Sequence, residues 1–103
     1  MTKINYSPEA QNDLDSIWEY TTYHLSNPIV ADNTVNTILD AIDNLETNPQ
    51  MGIPLYFSDG LNSGYRYLIC NSYLAFYRYS HGDVYVDRIL YGRSDYMKVL
   101  FPD

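Results

Sequence analysis

The sequence predicts an α+β domain: a short N-terminal strand, an α-helical hairpin and a C-terminal three-stranded antiparallel meander. Three observations carry this reading. Two apolar stripes at helical spacing run through residues 8–45. β-Branched and aromatic runs fill residues 65–91. A stretch rich in proline, glycine and asparagine separates the two textures.

Thr2 to Tyr6 alternates polar and apolar residues, with Ile4 and Tyr6 on one side, as a short strand does. Ser7-Pro8-Glu9 then stops the strand and starts a helix. Its hydroxyl is a cap, its proline suits the first helical position, and its acid sits near the positive end of the helix dipole. Ala10, Leu14, Ile17/Trp18, Thr21 and Leu25 form the first stripe, with acids behind it. Ser26-Asn27-Pro28 repeats the start signal, and Ala31, Val35, Ile38, Ile42 and Leu45 form the second stripe, closed by Asn48-Pro49 and Gly52. Leu14, Trp18, Ile38 and Ile42 are the expected core of this hairpin. Residues 49–64 read as a loop and as the one candidate flexible segment.

The meander follows as Tyr65–Cys70, Tyr73–Tyr79 and Val84–Tyr91, with turns at Asn71-Ser72 and Ser80-His81-Gly82-Asp83. A two-residue hairpin at Asn71-Ser72 pairs Cys70 with Tyr73 and Arg66 with Tyr77. Tyr67, Ile69, Leu74 and Phe76 then share one face, expected to pack on the helices. Arg66, Leu68, Tyr73, Ala75 and Tyr77 share the other, which places an arginine among tyrosines on an open sheet face.

A length of 103 residues makes a single domain, residues 1–103, with one core. Hydrophobic residues at 46% and charged residues at 18% give a folded composition. The chain holds no apolar run of signal-peptide length at its start and no 18 consecutive apolar residues, so the expectation is a cytoplasmic protein without a membrane role. Cys70 is the single cysteine, and no cysteine/histidine group has metal-site spacing, so neither a metal nor another cofactor is expected.

Six basic residues stand against 13 acids, a net charge of −7, and the imbalance is local. In residues 1–50 Lys3 faces Glu9, Asp13, Asp15, Glu19, Asp32, Asp40, Asp43 and Glu46, whereas the five basic and five acidic residues beyond balance. An anionic ligand therefore has to approach the second half, and autonomous nucleic-acid binding is at most weak, since phosphate neutralisation drives it. Nine of the 12 tyrosines also lie after residue 50, in keeping with a protein interface.

Strand, acidic helical hairpin, loop and meander, taken together, resemble the RelE/ParE superfamily of bacterial type II toxin–antitoxin toxins over nearly the whole chain. The resemblance rests on Ser7-Pro8-Glu9-Ala10, Asp13-Leu14, Ile17-Trp18 and Tyr20; on Asn48-Pro49 and Gly52; on Gly64-Tyr65-Arg66-Tyr67-Leu68 and Tyr73-Leu74-Ala75-Phe76-Tyr77-Arg78; and on Arg88-Ile89-Leu90-Tyr91-Gly92-Arg93-Ser94-Asp95. It implies a small twisted antiparallel sheet with the helical hairpin on one face, a cytoplasmic toxin and a cognate antitoxin partner. It leaves three readings open: RelE-like members cut ribosome-bound messenger RNA, ParE-like members poison DNA gyrase, and a degenerate member without toxicity would serve as an antitoxin-binding protein.

Metal-free RNA cleavage needs a base for the 2′-hydroxyl, cations for the phosphorane and an acid for the leaving oxygen. Arg66 matches a basic position of the ribonuclease branch, but Leu68 and Leu74 stand where further cations belong. Tyr91 holds a position where many relatives carry histidine, and a phenol with an ordinary pKa of ~10 is a poor base near neutral pH. Arg93 follows as a contact to phosphate or protein, or as a carbonyl cap or partner of Asp95. The Tyr73–Arg78 segment looks ParE-like. A ribonuclease would use Arg66, Tyr91 and Arg93, with Tyr96 as another proton carrier. A protein-directed toxin would use Trp18, Arg66, Tyr73, Tyr77, Arg93 and Tyr96 as contact surface. Arg88 is expected to pair with a carboxylate, His81 to serve its turn and His24 to face the helix dipole.

Overall fold

Ser7 ends one element and caps the next. In the computed structural model, which describes residues 2–103, β1 (Ile4–Tyr6) runs into α1 (Pro8–Leu25), and the Ser7 hydroxyl accepts the Ala10 N–H at 2.9 Å. The chain reverses at Ser26, and Asn27 caps α2 (Pro28–Asp43) by accepting from Ile29 and Val30. A 3-10 turn over Asn44–Glu46 closes the hairpin.

The sheet has five strands: β1, β2 (Ile53–Tyr56), β3 (Asn62–Cys70), β4 (Tyr73–Ser80) and β5 (Asp83–Tyr91), in the spatial order β1-β5-β4-β3-β2. The meander and its register match the sequence reading, with Cys70 opposite Tyr73 and Arg66 opposite Tyr77. Three features depart from it. β1 pairs with β5 in parallel, so the sheet is mixed rather than wholly antiparallel. The helical hairpin carries the chain from β1 at one edge to β2 at the other, and the antiparallel strands that follow bring β5 back beside β1. Part of the expected loop, Ile53–Tyr56, is an edge strand on β3, compatible with Pro54 because an edge position tolerates a lost donor. A last short helix, α3 (Tyr96–Leu100), follows β5.

The helices cover the face opposite to the one expected. Leu68, Cys70, Ala75, Tyr77, Val84, Val86 and Ile89 join Ala10, Ile17, Ile38, Ile42 and Leu45 in one buried cluster. Tyr67 and Phe76 lie on the other face, where α3 brings the Tyr96 ring to 5.2 Å from Phe76 and Phe101 contacts Phe57 and Tyr65. Both faces of β3 and β4 are apolar, so alternation alone could not assign the helices to one of them.

Trp18 is also displaced from its expected core position. The buried line of α1 is Ala10, Ile17 and Thr21. Trp18, one residue further round, is 37% exposed and donates its indole N–H to Asp32 on α2 at 2.8 Å. Ile38 and Ile42 are buried as expected, and Leu14 is partly buried. Among the described residues no helix is long and apolar enough to cross a membrane.

A β-bulge interrupts the ladder between β4 and β5. Phe76 opposes Arg88 and Tyr77 opposes Val86, which leaves Asp87 as the extra residue on β5. Its carboxylate receives the Arg78 guanidinium and the Tyr65 hydroxyl, at 2.7 and 2.9 Å.

Candidate functional site

The first helix crosses the ends of β4 and β5 and leaves a groove of about 450 Å³ between them. Ser16, Ile17 and Tyr20 line it from α1, Tyr73 from β4, and Ile89 and Tyr91 from β5. Tyr73 and Tyr91 are cross-strand partners with ring centroids 6.1 Å apart. Tyr20 is 61% exposed and stacks on His24 at 4.1 Å. Burial pushes the Tyr73 phenol above its ordinary value, with Tyr20 and Tyr91 adding to the effect. Its hydroxyl therefore stays protonated at neutral pH, as a hydrogen-bonding and stacking group.

Asp13 fixes the helix to the strand at one end of this groove. Its carboxylate takes the Arg88 guanidinium through Nε and Nη2, at 2.8 and 2.9 Å, and also accepts the Ile89 N–H at 2.9 Å. Pairing of β5 with β1 stops at Val86, so Asp13 satisfies an amide beyond the reach of β1. The hydrogen bond from Arg88 to the Asp13 carboxylate holds Arg88 above the usual arginine range, against burial. Arg88 thus has the carboxylate partner expected of it.

Arg93 is exposed on the turn after Tyr91. The turn is held by Gly92 N–H to the Ser72 carbonyl at 2.8 Å and by the Ser94 hydroxyl to the Tyr91 carbonyl at 2.6 Å. Neither the cap nor the Asp95 ion pair expected for Arg93 is present among the described residues; the ion pairs there are Arg78 with Asp87 and Arg88 with Asp13.

Arg66 and Tyr77 form a separate unit. Tyr77 is 0% exposed; its hydroxyl donates to the Pro49 carbonyl and accepts the Gly52 N–H, both at 2.9 Å. A Cβ at Gly52 would meet that hydroxyl at 2.5 Å, so the close approach explains the glycine. Beside it, Arg66 Nη1 donates to the carbonyls of Gln50 and Gly52, at 3.0 and 2.8 Å. Arg66 therefore anchors the loop into β2, and Tyr77, expected at a partner surface, instead holds the loop from inside.

The structure thus distributes the residues singled out in the sequence. Tyr73 and Tyr91 meet in the groove. Arg66 and Tyr77 meet under the β2 loop, Trp18 joins the two helices, and Tyr96 packs on the far side of the sheet. Tyr20 entered the sequence reading through the family resemblance alone and was given no site role, although its spacing three residues beyond Ile17 places it on the adjoining helical face.

The amino-acid sequence matches the family described as the ParE toxin of the type II toxin–antitoxin system, parDE, over residues 4–96. The chain belongs to the ParE toxin family. It is a type II toxin, ParE-like rather than simply RelE-like. Among solved structures, this ParE-family chain is similar to one from the chromosomal ParDE system of P. aeruginosa, with a TM-score of 0.74 and 22% identity over 88% of this chain and 96% of that one. It also resembles the YoeB/ParE toxin of Agrobacterium tumefaciens, at 0.60 and 20% identity over 87% and 98%. A chain of the RelBE2 toxin–antitoxin complex of Mycobacterium tuberculosis shares 19% identity with a TM-score of 0.58, over 87% and 96%. No curated protein sequence matches the chain. Membership of a toxin–antitoxin family brings with it a cognate antitoxin partner.

Proposed function

We propose that this chain arrests growth by contact with a macromolecular target, DNA gyrase, and that its antitoxin silences it by laying a C-terminal segment across the helices and sheet. The observation that carries this reading is the state of the arginines. Arg78 and Arg88 are neutralised by carboxylates, and Arg66 is bound to backbone carbonyls. Among the described residues, Arg93, two residues after Tyr91, is the arginine for which no such partner is found. Arg66 lies opposite Tyr77 and Tyr91 opposite Tyr73, four residues apart along β4, or roughly 13 Å. Arg66 is tied to the β2 loop and β4 lies between it and Tyr91, which argues against one phosphate shared by the two.

Leu68 is buried in the core, and Leu74 replaces a second expected cation. Each missing donor removes roughly 100–1,000-fold in rate, by analogy with oxyanion-hole deletions. Messenger cleavage is then poorly supported, whereas Tyr20, Tyr73, Tyr91 and Arg93 make a surface of the residue types enriched in protein interfaces.

The reading is tested by inducing the chain in growing cells. DNA-damage signalling is expected to rise before protein synthesis falls, and co-expression of the antitoxin is expected to restore growth. An early loss of translation with codon-positioned messenger cuts would instead assign the ribonuclease activity, while absence of both effects would leave an antitoxin-binding protein without toxicity.

A further inference from the structure

A second cleft, of about 410 Å³, opens beside β2 and β3 and is lined by Gln50, Asn62, Arg66 and Tyr79 among others. None of its lining residues is acidic, although the chain carries 13 acids. Arg66 reaches its two carbonyls through Nη1 alone. Among the described residues nothing accepts from its Nε or Nη2.

That edge is the one the other two folded arginines use. Arg78 binds Asp87 through Nε and Nη2, and Arg88 binds Asp13 through the same pair of atoms. Arg66 thus presents a carboxylate-binding edge already oriented by its loop contacts, with little left to order on binding.

We propose that this cleft is a carboxylate site that receives one acidic side chain of the antitoxin's docking segment. The proposal rests on the antitoxin reading above. A single carboxylate fits the fork of one guanidinium, while a nucleic-acid strand would bring many phosphates to a protein of net charge −7. Gln50, Asn62 and Tyr79 line the same cleft and carry further hydrogen-bonding groups.

Asn62→Asp tests the site without loosening the loop. The Asn62 side-chain oxygen accepts the Gly64 N–H at 2.8 Å, and an aspartate keeps that bond while placing a negative charge in the cleft that Arg66 lines. The variant is expected to melt like the parent chain and to bind the antitoxin about 10- to 100-fold more weakly. Replacing the antitoxin's acids one at a time by their amides is expected to reveal one position with a similar loss, and no further loss against Asn62→Asp. Parent-like affinity of Asn62→Asp, or no antitoxin acid coupled to it, overturns the carboxylate site while leaving the antitoxin pairing intact. Unchanged antitoxin affinity with abolished messenger cleavage would reassign the cleft to phosphate. A parent chain that forms no complex overturns the antitoxin reading and the proposal with it.

Discussion

Ile42→Ala is expected to lower the unfolding free energy by about 2–5 kcal/mol. Ile42 is 0% exposed and lies where α2 meets the sheet, in the cluster with Leu68, Ala75 and Tyr77. Three carbons lost there leave a gap that the helix cannot close, because Asp13 and the bonds around the β2 loop hold its surroundings in place. In urea the midpoint should fall with the slope unchanged, and toxicity should fall with the folded fraction. A loss below about 1 kcal/mol would mean that the hairpin does not pack on the sheet through this residue.

Phe76→Ala is expected to cost about 3–5 kcal/mol from the opposite face. Phe76 is also 0% exposed, between Tyr67 and Tyr96 at ring separations of 5.9 and 5.2 Å. Its removal frees α3, so amide exchange should accelerate over residues 96–100 more than over α1 and α2. The Tyr20, Tyr73 and Tyr91 groove lies on the helix side, and the folded fraction should keep its antitoxin affinity. Exchange that rises equally in all three helices would contradict separate packing of the two faces.

These two residues also show what was legible in the sequence. Ile42 could be placed because a helical stripe has only one apolar side. Phe76 and Tyr77 are neighbours in a strand whose two faces are both apolar, so the register of the β3–β4 hairpin was readable while the choice of face was not. The α3 segment, which covers the second face, carries too few residues for a periodic signal. β2 was hidden for a related reason: four residues containing Pro54, set among turn formers, read as a loop until β3 offers them an edge.

The site followed the same pattern. Arg88 was expected to pair because it alternates with Val84, Val86 and Leu90 in the sequence, but the bulge at Asp87 moves it off the face of Val84 and Val86 to that of Phe76, and Asp13, 75 residues away, could be found only from the fold. Tyr73 and Tyr91 were recognised one by one, and the antiparallel ladder brings them together. Arg66 was read as free on an open face. Inverting the faces turned its Nη1 to the β2 loop, and the loop carbonyls have no sequence signature.

The central claim is that the chain is a target-binding poison with too few free cations for RNA cleavage. The most direct measurement adds the purified protein, in parallel, to a DNA gyrase supercoiling reaction and to ribosomes programmed with messenger RNA. Inhibition of gyrase that the antitoxin reverses, with the messenger left intact, is the expected result. Codon-positioned cleavage on the ribosome, lost in Arg66→Ala, with supercoiling unaffected, would contradict the account.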